Sequence, residues 1–268
     1  MQKKPSQKSD IHPKKALPAK ADQHPLFKLG KQETKKDDRN LMFASLVKAP
    51  AKLPAEYDFD LTHKGIPTPM FANDTLGCCV ISGRAHQTLR FELLEQKSKL
   101  MITDTDITKE YFKETSGKDS GLIVLDSLKL WRSKGWKAAK KTYKIKAFSS
   151  IMPRDHQSMM QAIYLDVGLG LGVSLPLSAQ GQIQAGKPWD VVAGPTGKPG
   201  SWGGHYIYVS GYTALGPVCI TWGRKQQLTW KFIDKYCDEA YAIFDAKNSV
   251  KAKKVLDQEK LQTFLDSL

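Results

Sequence analysis

Ile81, Ala85, Leu89 and Leu93 recur four residues apart, so one apolar stripe runs along a helix predicted over residues 79–98. Residues 106–116 read as a second helix, ended by Gly117. Ser120 is placed to N-cap a third, in which Val124, Leu125, Leu128 and Trp131 share a face and Gly135 stops the run. The pattern then changes. Residues 143–148 alternate as a strand, 157–165 form a helix, and 168–174 are an apolar strand. A loop rich in glycine and proline at 194–204 precedes strands at 205–212, 218–222 and 241–244, with a short helix over 228–236. Helices followed by antiparallel strands predict an α+β fold.

The 268 residues suffice for one full-sized core. Residues 1–40 hold eleven Lys or Arg against five Asp or Glu and read as a basic disordered tail. Leu41, Met42, Phe43, Leu46 and Val47 form a short anchor that begins a domain over 41–246. A lysine-rich linker at 247–254 leads to a C-terminal amphipathic helix, with Leu261, Phe264, Leu265 and Leu268 on one stripe.

The net charge of +14 comes from 35 Lys and only 6 Arg. Base readout and bidentate phosphate clamps favour Arg, so the charge implies a solvated surface and no more than non-specific association with nucleic acid. No run reaches the 18 or so apolar residues of a membrane span. The N-terminus is charged with no apolar run behind it, unlike a secretory signal, so a cytoplasmic location is expected, with signal-independent export or incorporation in a particle as alternatives. Four cysteines occur without a CxxC pair, and no His spacing suits zinc, so neither metal nor cofactor is expected. The cysteines matter as thiols.

Asn73-Asp74-Thr75-Leu76-Gly77-Cys78-Cys79 is a loop that runs directly into the striped helix, with Cys79 in its first turn. A helix N-terminus carries partial positive charge and unpaired N–H groups, which favour a thiolate and can hold an oxyanion. Both cysteines also read as small buried hydrophobes. Among the six histidines, His12 and His24 lie in the tail, and His86 lies about 10 Å along the helix from Cys79. His205 opens an alternating strand directly after Gly203-Gly204 and is the best candidate base, its other reading being a half-buried strand histidine.

These residues resemble the papain-type cysteine peptidases. Leu53-Pro54, Tyr57-Asp58, Gly65-Ile66-Pro67-Thr68-Pro69-Met70, Asn73 and Gly77-Cys78-Cys79 are similar to the start of the mature domain. The run from Gly204-His205 to Gly211-Tyr212 is similar to the family's His-Ala-Val-x-x-Val-Gly-Tyr strand, and Ile220-Thr221-Trp222-Gly223 to its Asn-Ser-Trp-Gly. The resemblance covers residues 53–245, and within the family it points to bacterial and phage-encoded members of unassigned function. It implies a helical half, its central helix opened by Cys79, packed on an antiparallel, barrel-like half, with Cys79 as nucleophile, His205 as base and Asn73 as the oxyanion amide. Trp222 would shield the imidazole, and Cys78 stands where Ser is usual. Ile220 falls at the orienting Asn. Thr221 is adjacent, but strand neighbours point to opposite faces. The long helical propeptide of the family has no counterpart before Leu53.

The resemblance therefore implies a cysteine hydrolase of the peptidase or amidase kind, acting on peptide or protein substrates by acyl transfer through a thioester on Cys79. A catalytically inactive scaffold, binding a partner through the tail or the C-terminal helix, is the alternative that Ile220, the shorter amide of Asn73 in the oxyanion position and the missing propeptide motivate.

Overall fold

The structure is a computed structural model that describes residues 27–48, 51–97, 99–245 and 250–267. The first 26 residues of the expected tail, residues 247–249 of the expected linker and Leu268 of its helix lie outside the described residues.

Tyr57–Asp58 (β1) leads into one turn, Phe59–Thr62 (α1), and a long loop. Three helices follow: Cys79–Gln96 (α2), Asp104–Glu114 (α3) and Val124–Ser133 (α4). A small hairpin pairs Trp136–Ala138 (β2) with Lys141–Tyr143 (β3), so the single strand expected over 143–148 is split. Next come Ala147–Ile151 (β4), His156–Tyr164 (α5), Leu169–Leu175 (β5) and Leu177–Gln184 (α6). Gly203–Tyr212 (β6), Pro217–Thr221 (β7) and Arg224–Gln227 (β8) form a meander, followed by Trp230–Tyr236 (α7) and Cys237–Phe244 (β9). Val250–Val255 (α8) turns the rest of the expected linker into helix, and Gln258–Asp266 (α9) is the C-terminal helix.

The main sheet runs β4-β9-β5-β6-β7-β8, with β1 also paired to β6, and every pairing in it is antiparallel. Its ends, β4 and β8, are not paired to each other, so the half expected to be barrel-like is an open sheet. Alternate residues of each strand feed two cores. Leu169, Leu171, Val173, Ile207 and Val209 pack with Phe232 and Trp189 on one face. Tyr206, Tyr241 and Ile243 pack with Ile81, Leu89, Ile107 and Leu125 of the helices on the other.

The central helix departs from its expected single stripe. Every residue from Cys79 to Glu92 is buried, because β6 packs on one side of α2 and α3 on another. Its charges are paired instead of solvated. Arg84 Nη1 lies 2.8 Å from Glu114 Oε1, and Arg90 Nη2 lies 2.7 Å from Asp60 Oδ2. Ser120 does not cap α4; Ile123 takes the cap position without a side-chain bond. Phe43 and Leu46 of the anchor are buried, and Asp257 N donates to Leu46 O at 2.7 Å. Leu261 on the stripe of α9 is buried in the first core, so part of the face expected to dock a partner is used within the chain.

Candidate active site

The loop before α2 is fixed from both sides of the helical half. Asp119 Oδ1 accepts from Gly77 N at 2.9 Å and from the Tyr111 hydroxyl at 2.6 Å. The Tyr111 oxygen in turn accepts from Gly121 N at 2.9 Å. These bonds hold Gly77 and the 119–121 loop side by side, with Cys79 at the start of α2 behind them. The backbone N–H groups of Tyr206, Gly30 and Val80 lie beside the Cys79 sulfur, and Cys79 is 1% exposed. Burial pushes its thiol up to about 11, and these N–H groups with the nearby Lys31 charge offset only part of that. The thiolate expected from the helix N-terminus is thus outweighed by desolvation while the sulfur is covered.

His205 lies on β6 and is fully buried. Its ring stacks on Trp222 with centroids 4.2 Å apart and planes 12° from parallel. Nε2 lies 2.7 Å from Thr221 Oγ1, while Nδ1 has no hydrogen-bond partner among the described residues. Burial pulls the imidazole down to about 3, which keeps it neutral. His205 and Cys79 meet at one corner, since the sulfur bonds the N–H of the residue after His205. No hydrogen bond joins sulfur to imidazole among the described residues.

The side chain that meets His205 Nε2 is that of Thr221 and not of residue 220, and a β-bulge is the reason. At the hairpin end of β6 and β7, Tyr212 pairs with Pro217 and Gly211 with Val218. Continued without interruption, that register would set Ile220 opposite Val209, on the face of His205. The register instead shifts between Val209 and Gly211, so that Tyr208 pairs with Ile220. Thr221 then falls opposite Ile207, two residues from His205 and on the same face. Ile220 turns to the other face and is buried.

Asn73 is 2% exposed, and its Nδ2 donates to Leu76 O at 3.1 Å and to Lys28 O at 3.2 Å. Its amide therefore points a donor into the cleft. Cys78 turns the other way, its sulfur donating to Phe71 O at 3.4 Å, and it is a free, buried thiol pushed up to about 12 by burial. Trp222 is also flanked by Trp202 at 5.5 Å and by the fully buried Trp189 at 6.1 Å. No group of three His, Cys, Asp or Glu among the described residues is placed to hold a metal.

The sequence reading missed what covers this corner. Residues 27–40, expected within the tail, are laid along the domain, and Phe27 to Gln32 form a strap through the cleft. Phe27 stacks on Trp222 at 4.5 Å. Lys28 N donates to Asn73 O at 3.0 Å, and Lys28 O accepts from Trp222 Nε1 at 3.3 Å. Gly30 O accepts from Leu122 N at 2.7 Å, Lys31 N donates to Gly204 O at 3.1 Å, and Gln32 N to Leu122 O at 2.9 Å. The strap thus bonds both halves. Gly30 is the only type of residue that fits at its closest point, because a Cβ there would stand 1.7 Å from Gly77 O. An open volume of about 340 Å³ remains around it, lined by Lys28 to Lys31, Gly77, Asp119 and Gly204. The one sequence signal was Phe27, Leu29 and Gly30 interrupting a lysine-rich stretch.

No protein-family model matches the sequence, and no curated protein does. Solved structures do match. Xylellain, a cysteine protease from Xylella fastidiosa, aligns with a TM-score of 0.63 at 16% identity over 82% of this chain and 97% of that one. The procathepsin B S9 of Trypanosoma congolense aligns at 0.57 and 12% identity over 82% and 87%. The Carica candamarcensis cysteine protease CMS1MS2, in complex with E-64, aligns at 0.54 and 11% identity over 73% and 100%. The chain has the papain-like fold.

Proposed function

We propose that this chain is a papain-like thiol hydrolase of peptide or amide bonds, held latent by its own strap. The observation that carries the reading is the imidazole of His205. One nitrogen is fixed on Thr221 and the ring face is sealed by Trp222. The other nitrogen is left without a partner, beside the residue whose N–H meets the Cys79 sulfur.

With the strap displaced, water and substrate reach the pair. His205 Nδ1 takes the Cys79 proton, and the sulfur attacks the substrate carbonyl carbon. The oxyanion is held by Asn73 Nδ2 and by N–H groups at the start of α2. As the C–N bond breaks, the proton passes from His205 to the leaving nitrogen, leaving a thioester. Water then attacks the thioester, His205 takes its proton, the C–S bond breaks and Cys79 regains the thiol. Thr221 Oγ1 accepts the Nε2 proton throughout and fixes the tautomer. Thr221 Oγ1 beside His205 Nε2 supports this reading over a retired scaffold, for which the apolar residue at 220, the shorter amide at 73 and the missing propeptide speak.

The test uses the full chain with Gly30→Val, whose side chain cannot fit against Gly77 O and so expels the strap. Mass-mapped iodoacetamide labelling between about pH 4 and 9 should find Cys79 reactive below its ordinary pKa of about 8.5. A second change, His205→Ala, should abolish that reactivity. A Cys79 that stays inert in Gly30→Val, or labels identically without His205, rejects the reading.

A further inference from the structure

The strap places one charged side chain deep in the domain, and its surroundings are built for it. Lys31 has a side chain 2% exposed, with Nζ 3.2 Å from Asp238 Oδ1 and 3.4 Å from Glu239 Oε1. Nζ also donates to Thr34 Oγ1 at 3.1 Å and to Gln32 O at 3.2 Å. The last two partners belong to the segment just after Lys31, whereas the two carboxylates belong to β9. Neighbours on a regular strand point to opposite faces, yet both carboxylates reach one ammonium. The β5–β9 register shifts between Gly172, which pairs with Glu239, and Val173, which pairs with Cys237. Asp238 is the extra residue of that bulge, and the bulge turns it beside Glu239.

Each carboxylate is held from behind. Ser174 Oγ donates to Asp238 Oδ2 at 2.7 Å, and the Tyr241 hydroxyl to Glu239 Oε2 at 3.0 Å. Lys31 Nζ also donates to Asp238 Oδ2 at 3.2 Å, the oxygen that Ser174 holds, while Asp238 Oδ1 and Glu239 Oε1, 3.2 and 3.4 Å from Nζ, have no hydrogen bond among the described residues. The channel for the aliphatic stem is a notch at Gly172, where a Cβ would stand 2.4 Å from both Lys31 Cε and Glu239 Cγ. Gly30, one residue before Lys31, is on the Cys79 sulfur. With the strap out, Asp238 and Glu239 lose the ammonium that pairs them, so a cationic side chain entering there regains what Lys31 supplies.

We propose that Gly172, Asp238 and Glu239 form a substrate subsite for a lysine or arginine side chain, and that Lys31 is its resident in the covered state. This rests on the reading of Cys79 as a nucleophile and names its substrate class: peptides or proteins with a basic residue close to the bond cut. The strap holds the subsite with the same ammonium chemistry, so a basic substrate competes with Lys31 for one pair of carboxylates.

The experiment uses the full chain carrying Gly30→Val and, independently, Lys31→Glu, which sets a third carboxylate against the pair. The probes are acyl-tripeptidyl fluoromethyl ketones, from which the Cys79 sulfur displaces fluoride, with lysine or leucine at each of the three positions. Iodoacetamide, which has no side chain to place, reports that Cys79 is accessible. At one position lysine should react about tenfold faster than leucine, as a desolvated charge-assisted pair requires. Asp238→Asn with Glu239→Gln should bring the lysine rate down to the leucine rate, so that the preference is lost. Asp238→Asn alone, at a side chain 31% exposed, should reduce it without endangering the fold. Equal lysine and leucine rates at all three positions, on a Cys79 that takes iodoacetamide, overturn the subsite and leave the hydrolase reading standing. A Cys79 that resists iodoacetamide in both strap variants overturns the hydrolase reading and the subsite with it.

Discussion

His205 Nε2 lies 2.7 Å from Thr221 Oγ1, inside a pocket closed by the stacked indole of Trp222. The β6–β7 bulge brings position 221 to the face of His205, so that a hydroxyl stands against the ring nitrogen. Thr221→Val keeps the shape and leaves Nε2–H buried without an acceptor. An unsatisfied buried donor is worth about 1–3 kcal/mol. In the Gly30→Val background, peptide hydrolysis should therefore fall about ten- to a hundredfold, while Thr221→Ser should retain most of it. Equal rates for the Val and Ser variants would show that the hydroxyl does not orient the ring.

Cys79 in the covered chain should be a poor nucleophile at neutral pH. Its thiol is pushed up to about 11 by burial. The raised value favours the covered state below the ordinary thiol range, and that contribution is lost as the pH rises toward 11. Labelling of the wild-type chain should thus stay slow at pH 7 and climb only in strong alkali. Gly30→Val should raise the pH 7 rate by about tenfold or more. Mass mapping separates Cys79 from Cys78, which turns away into the helical half and should remain unlabelled in both chains.

Arg84 has a side chain 3% exposed and lies 2.8 Å from Glu114 Oε1, whose own side chain is 2% exposed. Its Nη2 also donates to Ser127 O at 3.1 Å. Removing one partner of a buried pair strands the other charge, which is worth about 3–5 kcal/mol. Arg84→Ala should lower the unfolding free energy by that amount in urea titration. Arg84→Ala together with Glu114→Ala should recover part of it, since no charge is then left alone against Glu114's position. A single variant as stable as wild type would mean that water reaches this pair.

Periodicity alone located the start of α2 and the strand of His205, because an apolar period of four or of two is a local property. The face of Thr221 was not legible. It depends on a one-residue bulge, and whether a strand bulges is decided by the pairing of β6 with neighbours on both sides. The pocket of Asp238 and Glu239 was hidden for the same reason, since adjacent acids on a regular strand would diverge. Lys31 was invisible for another. In a lysine-rich segment one more lysine reads as solvated, and only partners more than 200 residues away distinguish it. Composition likewise placed Phe27 to Gln32 in a tail, although the backbone hydrogen bonds that hold the strap carry no signature in side-chain type.

Acid should open the strap. Burial pulls His205 down from 6.5 to about 3 in the covered state. Once uncovered, the imidazole regains water and takes a proton near its ordinary value. The covered state therefore has its full advantage above pH 6.5 and loses it, about tenfold per pH unit, as the pH falls toward 3. The Cys79 thiol, Asp119, Asp238 and Glu239 also face the strap. The Cys79 thiol titrates far above this window. Glu239, raised from 4.5 by burial, takes up its proton in the covered state above 4.5 and so favours covering as the pH falls toward 4.5, against the histidine. His205→Ala, which keeps Glu239, therefore isolates the histidine. Hydrogen exchange of the Lys31, Gln32 and Leu122 amides, which make the strap's bonds, reads it directly once corrected for the intrinsic rate. Protection should fall between pH 6.5 and 4.5 in the wild-type chain and should not fall in His205→Ala. Level protection in both would place the proton elsewhere and remove the imidazole as the group that acid acts on.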